Sequence, residues 1–339
     1  MKIAGFDIGG ANTDLAIIDF EDGEIKEIRT DFEYLPMWSQ NDRLENVLVD
    51  LIERIDSLDE IDAVGISMTA ELVDAFETKA EGVLDIATSC EKLFDVPVAY
   101  IGVDKVLSIT ELINNPLEVA AANWIATSKI VAEIAEDCIF VDTGSTTTDI
   151  IPIRNGKEIA KGRTDFERSA TGELVYTGTL RTNLTSFVDF VPLDDKNYRL
   201  ASELFAITAD VYNVLGLIDD EDYVCATADG AGKSKEDSAR RISRVLCADL
   251  DILSMEDIIE IANYIQVKQI ASGLNLVAER EGLNKVIVTG LGKDILCARA
   301  AESLGLDVES MGDYYTDEEC VVAPAIGTAI MMKDYVSGS

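Results

Sequence analysis

Apolar residues fill the chain from Ile3 to Ile8 and again from Leu15 to Phe20, with Gly9-Gly10 between the two runs. Short apolar runs around a glycine turn predict a β-hairpin over residues 3–8 and 13–20. The period then changes. Leu44, Val47, Leu48, Leu51, Ile52 and Ile55 recur at i, i+3 and i+4, which predicts an amphipathic helix over 41–55. The apolar stretch 61–68 reads as a buried strand ending in Thr69-Ala70-Glu71, and 96–103 as another. An alanine-rich helix is predicted over 117–135, and a second strand pair over 138–153. Beyond 163 the pattern is less regular. A threonine-rich segment (177–182) precedes a helix over 201–215, an acidic, glycine-containing loop over 219–238, and helices over 236–247 and 255–281. A strand over 285–289 leads into Gly290-Leu291-Gly292 at a helix start, and a last alanine-rich helix runs from 324 to about 333.

Two stretches of this pattern share one phrase. Asp7–Asp14 reads D-I-G-G-A-N-T-D and Asp142–Asp149 reads D-T-G-S-T-T-T-D, identical at the first, third, seventh and eighth positions. Each enters from an apolar strand, leaves into another, and is followed by a turn dipeptide, Asp22-Gly23 or Asn155-Gly156. The residue types suit phosphate and a divalent cation. Asp7 and Asp142 at strand ends are candidate metal ligands, since hard cations prefer oxygen. Gly9, Gly10 and Gly144 let the backbone approach a phosphate. Asn12, Thr13, Ser145, Thr146 and Thr147 supply neutral donors. Two copies imply two facing halves of a cleft, and place a domain boundary between 1–132 and 133–339. The second domain then carries a substrate-loop insertion at about 163–240, and the last helix is expected to pack back on the first domain.

Composition narrows the function classes. With 64 acidic and 28 basic residues the net charge is −36, which repels nucleic acid and anionic membranes as partners. Adaptation to a salty cytoplasm is the expected origin of such a surface. A phosphorylated substrate must then be held by backbone amides, a metal and a few chosen cations. Histidine is absent, which excludes Ser-His and Cys-His nucleophiles, histidine bases and histidine-held zinc. Six well-separated cysteines read as reduced, mostly buried thiols. Met1-Lys2-Ile3 leads straight into the first strand without a signal-peptide pattern, and no apolar run approaches the roughly 20 residues of a membrane helix, so the expected location is cytoplasmic. The oligomeric state stays open, a homo-oligomer included.

Two further segments resemble nucleotide motifs. Thr227–Ser234 reads T-A-D-G-A-G-K-S, a P-loop with its leading glycine replaced; it fits better as a substrate loop contributing Asp229 and Lys233. Gly290-Leu291-Gly292 begins like a dinucleotide fingerprint, but Ile295 stands where the third glycine belongs. A helix N-terminus facing a phosphate or ribose fits Gly290 and Gly292 better. Cations gather after the second octad (Arg163, Arg168, Arg181, Lys233, Arg240, Arg241, Lys293). Arg181, within T-G-T-L-R-T, is the favoured ligand for a substrate anion.

The octads, together with Val288-Thr289-Gly290-Leu291-Gly292, resemble in order and separation the phosphate-1, phosphate-2 and adenosine motifs of the actin, sugar-kinase and Hsp70 superfamily, over nearly the whole chain. That resemblance implies two ribonuclease-H-like α/β domains with a central cleft. Met68-Thr69-Ala70-Glu71-Leu72, Ala122-Asn123-Trp124, Tyr176–Thr182 and Ala226–Gly230 look most like an archaeal and methylotroph family in the hydantoinase/oxoprolinase-related branch, whose methanogen members are methanofuran-biosynthesis synthases. What this resemblance implies is a transferase that joins 5-(aminomethyl)-3-furanmethyl diphosphate to the phenol oxygen of γ-glutamyltyramine. The products are an aryl ether and diphosphate, with Mg2+ on Asp7 and Asp142. A phenol with a pKa of about 10 needs a base, and Glu71 and Asp14 are the candidates. The octads alone favour ATP, in a small-molecule kinase or a hydantoinase-type amide hydrolase subunit, since ATP is the commonest ligand of this fold. A non-catalytic nucleotide sensor or actin-like polymer is a third possibility.

Overall fold

The structure is a computed structural model that describes residues 1–219 and 221–338; Asp220, within the acidic loop expected at 219–238, lies outside them. The first sheet is built from β1 (Lys2–Ile8), β2 (Asn12–Glu21), β3 (Glu24–Tyr34), β4 (Ala63–Met68), β5 (Val98–Ile101) and β6 (Val106–Leu107), in the order β3-β2-β1-β4-β5-β6. β1 to β3 form an antiparallel meander, and β4 and β5 add in parallel. The second sheet repeats that plan. β7 (Cys138–Thr143), β8 (Thr148–Arg154), β9 (Lys157–Glu158) and β10 (Leu174–Val175) are antiparallel neighbours, and β13 (Lys285–Thr289) and β14 (Asp307–Ser310) add in parallel beside β7. A separate hairpin, β11 (Phe190–Leu193) and β12 (Lys196–Arg199), belongs to the region between. Both dipeptide turns take positive φ at both residues, 53° and 90° at Asp22-Gly23 and 52° and 69° at Asn155-Gly156, a backbone that Asp-Gly and Asn-Gly tolerate best.

The helices Asn123–Ile134 and Ala323–Ser337 pack between the sheets, in a core shared by Ile3, Ala16 and Ile18 on one side and Phe140, Ile151 and Ile287 on the other. Their approach depends on missing side chains. Gly5 and Gly65 pair in register on β1 and β4. A Cβ on Gly5 would lie 2.2 Å from the Ala325 carbonyl oxygen, and one on Gly65 would lie 2.9 Å from that of Thr328. Where the two helices cross, a Cβ on Gly327 would meet the Ala126 carbonyl oxygen at 2.1 Å. The outer face of the first sheet is covered by the helices Leu44–Ile55 and Lys79–Leu93, through Val47, Leu51, Val83 and Ile86. Among the described residues no helix is long and apolar enough to cross a membrane.

Several boundaries differ from the sequence pattern. The alanine-rich helix starts at Asn123, because Pro116–Glu118 form a 3-10 turn and Ala121 sits at φ 51°, outside the helical region. The helix expected over 201–215 occupies only Thr208–Leu215, since Ile207 is extended and bridges Asn183. The strand expected over 96–103 is confined to Val98–Ile101, behind Pro97. The last helix continues to Ser337, beyond the expected end.

The crossing of the two central helices yields a prediction. Gly327→Ala forces the new methyl into main-chain atoms of Ala126, so it lowers unfolding stability by about 1–3 kcal/mol, measured as a fall in the urea midpoint with an unchanged slope.

Candidate active site

Each octad folds into the same hairpin. Asp7 stands opposite Asp14 across β1 and β2, and Asp142 opposite Asp149 across β7 and β8. The loop closes in the same way in both: the Gly9 N–H donates to the Asn12 carbonyl at 2.9 Å, and the Gly144 N–H to that of Thr147 at 3.0 Å. The loop tips line opposite sides of one cleft of about 560 Å³. Gly9, Gly10 and Asn12 line one side, and Gly144, Ser145, Thr146 and Thr147 the other. Neighbouring segments hold the tips. Met37 N–H donates to the Gly10 carbonyl, and Thr69 N–H to that of Ile8. Thr179 N–H donates to the Gly144 carbonyl, and those of Leu180 and Arg181 to that of Ser145. Gly178 lies so close to the second loop that a Cβ there would be 2.3 Å from the Thr146 nitrogen. T-G-T-L-R-T is therefore the segment that braces the second loop and delivers Arg181 to the cleft.

The four octad acids differ in their partners. Asp7 accepts hydrogen bonds from Ser67 Oγ at 2.8 Å and Asn123 Nδ2 at 3.1 Å. Asp149 accepts one from Arg168 Nη1 at 2.5 Å. Asp14 and Asp142 receive no side-chain or backbone donor among the described residues. Burial pushes all four carboxyls above their ordinary range. For Asp7 the Asn123 and Ser67 bonds oppose the rise, and for Asp149 the Arg168 charge does. Nothing opposes it at Asp14, where the charges of Asp7 and Asp142 add to it, or at Asp142, pushed up to about 8 by burial and then by Asp149 and Asp7. The acids with donors and the acids without alternate between the two hairpins.

Of the seven cations named above, Arg168 and Arg181 reach the cleft. Arg168 is buried, stacks 4.9 Å from the Trp124 ring centroid, and bonds both Asp149 and Asp165. Lys79 pairs with Asp165 at 3.1 Å, joining the two halves of the molecule. Arg163, Arg240, Arg241 and Lys293 are all paired with carboxylates elsewhere. Arg181 is exposed in the cleft, 4.9 Å over the Trp38 ring, with no carboxylate beside it among the described residues.

Other expected site residues lie off the cleft surface. Thr13 is fully buried with its hydroxyl unpartnered. Asp142 sits behind the second loop, against Gly290, whose Cβ would be 2.2 Å from Asp142 Oδ1. Gly290 (φ 81°) and Gly292 therefore pack on the base of the second octad, and Gly292 N–H donates to the Thr143 carbonyl at 2.9 Å. Asp229 is paired with Arg241 and Arg244, and Lys233 donates to the Tyr223 carbonyl, so this loop docks on the helix Lys235–Val245 outside the cleft lining. Glu71 is buried beneath the cleft wall, with both carboxylate oxygens unbonded and Lys79 Nζ 3.5 Å away.

Sequence reasoning left Asp149, Arg168, Asn123, Ser67, Trp38 and Tyr176 without roles in the site. Asp149 was within reach, because the eighth octad position is identical to Asp14. Asn123 and Ser67 become visible only when the β4 end and the central helix converge on Asp7. Among the described residues no group of three or more acidic or cysteine side chains is close enough to hold a metal ion unaided.

A sequence profile described as hydantoinase/oxoprolinase matches residues 62–335. The chain is 40% identical over 338 residues to a protein of Methanocaldococcus jannaschii named (4-{4-[2-(γ-L-glutamylamino)ethyl]phenoxymethyl}furan-2-yl)methanamine synthase, covering 98% of each. It is 39% identical over 207 residues to a Methanococcus vannielii protein of the same name, covering 59% of this chain and 93% of that one. Among solved structures it is similar to a nucleotide-free acetone carboxylase (TM-score 0.61, 13% identity, 97% of this chain and 70% of that one). It is also similar to the activator of the 2-hydroxyisocaproyl-CoA dehydratase from Clostridium difficile (TM-score 0.50, 12% identity, 100% and 96%). At such identities these two likenesses show the fold alone: two α/β halves of the actin, sugar-kinase and Hsp70 type.

Burial holds the Glu71 carboxyl up at about 7, against an ordinary value of 4.5, with Lys79 opposing the rise. A raised carboxyl binds its proton more tightly in the folded state. Its penalty is absent below pH 4.5, grows as pH rises, and is complete above pH 7. Glu71→Gln removes that penalty, so the stability difference between variant and wild type should shift in the variant's favour by up to about 3 kcal/mol between pH 5 and pH 8. Denaturant melts at the two pH values measure it; an unchanged difference would contradict the assignment.

Proposed function

This chain belongs to the hydantoinase/oxoprolinase family, and we propose that it is an ether-forming synthase of methanofuran biosynthesis. Its substrates are 5-(aminomethyl)-3-furanmethyl diphosphate and γ-glutamyltyramine. The observation that carries this reading is the nearly full-length match to a methanogen synthase whose name describes a phenoxymethyl ether on a furan. The reaction breaks the bond between the furanmethyl carbon and the diphosphate oxygen. It forms a bond from that carbon to the phenol oxygen, and the phenol proton passes to a base.

The cleft supports each requirement. Two glycine loops with hydroxyl and amide side chains suit the two phosphoryl groups, and Arg181 is an uncommitted cation beside them. In a protein of net charge −36, cations so placed decide where an anion can rest. Asp14 borders the cleft and carries no competing donor, whereas Glu71 is closed off from it, so Asp14 is the better candidate to take the phenol proton.

Magnesium fits the acids present. Asp142 and Asp14 lack donors, and burial plus mutual repulsion disfavours their charged forms, so a cation beside them relieves a real cost. A hard ion of this kind keeps several waters and takes phosphate oxygens, so it does not need a cage of three protein ligands. Asp7 and Asp142 would hold it. Bound there, magnesium supplies neutralisation of the charge that develops on the departing diphosphate.

Purified protein with Mg2+, the furanmethyl diphosphate and γ-glutamyltyramine should yield ether and diphosphate in equal amounts. ADP release from ATP without ether would favour the kinase or amide-hydrolase alternative and overturn the proposal. Chelation with EDTA should abolish turnover, and Mg2+ should restore it. Arg181→Ala should raise the KM for the diphosphate substrate by roughly 10- to 100-fold, the size of a lost charged hydrogen bond, with a smaller effect on kcat. Asp14→Asn should lower kcat by roughly 10²- to 10⁴-fold, as expected for loss of a general base.

A further inference from the structure

Of the five acids that line the cleft, Asp74 differs from the rest. Asp7, Asp14, Asp149 and Asp165 are at least half-buried, and three of them are bonded to protein donors. Asp74 is exposed on the cleft wall, and among the described residues no cation or donor engages it. Its neighbours in the wall are Val73 and Leu72, the latter 53% exposed, so the Leu72 side chain is open to a ligand in the cleft. The segment is fixed to the first octad. Thr69 N–H donates to the Ile8 carbonyl at 2.9 Å, and Val73 Cγ1 lies 3.3 Å from where a Cβ on Gly10 would be.

An apolar wall ending in an uncommitted carboxylate beside a phosphate loop has the chemistry for a flat ring that carries an ammonium group. The product named for the methanogen relative has a methanamine on its furan. An alkylamine of that kind is charged at neutral pH. On the reading proposed above, the diphosphate leaves from a carbon on the same ring, so the ring amine stays close to the phosphate loops. The second amine, on the γ-glutamyl group, is separated from the phenol by an ethylamide and the glutamyl chain. We infer that Leu72, Val73 and Asp74 form the subsite for the donor ring, with Asp74 receiving its ammonium group. This assignment rests on the proposed function and makes Asp74 the residue that selects the aminomethyl donor.

The test compares two donors, the aminomethyl-furanmethyl diphosphate and its analogue with methyl in place of aminomethyl, in wild type and Asp74→Asn. Wild type should prefer the aminomethyl donor in kcat/KM by 10-fold or more, roughly the worth of a charged hydrogen bond. Asp74→Asn should lower kcat/KM for the aminomethyl donor until it no longer exceeds that for the methyl analogue. A preference retained in Asp74→Asn overturns the assignment. So does a loss of discrimination against an acceptor lacking its α-amine, with donor discrimination intact. No ether from wild type with either donor would overturn the function itself, and the assignment with it. A melting temperature equal to wild type, expected for an exposed position, separates these effects from misfolding.

Discussion

Cross-strand pairing sets Asp7 against Asp14 and Asp142 against Asp149, so two short hairpins gather four carboxylates, three lining one cleft and Asp142 behind its second loop. Burial resists their ionisation, and the like charges gathered there add to the resistance. The fold spends few groups on relieving it. Ser67 and Asn123 serve Asp7, Arg168 serves Asp149, and the other two acids are left bare. That alternation gives the hairpins unequal chemistry despite their common phrase. In each hairpin protein donors oppose the rise in pKa at one acid, and nothing opposes it at the other.

The scaffold exists to keep those hairpins opposed. Two helices fill the space between the sheets, and they come close enough only because Gly5, Gly65 and Gly327 present no side chain at the crossings. Since β1 and β7 each end in an octad, the close packing of these helices on both sheets fixes where the loops stand. The T-G-T-L-R-T segment and the Gly290–Gly292 turn then brace the second loop from two directions, by main-chain hydrogen bonds and by the absence of Cβ atoms. Lys79 and Asp165 add a link across the cleft whose other end, Arg168 on the Trp124 face, reaches Asp149.

Charge accounting connects the surface to the site. A chain with 28 basic and 64 acidic residues has little spare positive charge, and most of the cations that follow the second octad are already paired. Arg181 stands out because it is held by an aromatic ring instead of a carboxylate. An aromatic face orients a guanidinium without neutralising it, so the charge stays available to an incoming anion.

Much of this was legible in the chain. The octads are local patterns, and a D-x-G phrase between apolar runs reads as a strand, a tight loop and a strand, so both hairpins and their turn dipeptides followed from residue order. The same is true of Leu44–Ile55 and of the strand Lys285–Thr289, whose periods are unambiguous. What residue order could not decide was which of the identical acids would meet a partner. Ser67, Asn123 and Arg168 lie 60, 116 and 19 residues from the carboxylates they bond. Nor could it show that Glu71 would be closed off, or that Asp229 and Lys233 would be consumed by Arg241, Arg244 and the Tyr223 carbonyl. Sequence specifies the loops because their geometry depends on neighbouring residues. Only the packed tertiary structure assigns their charges, because ionisation depends on burial and on donors brought from elsewhere in the fold.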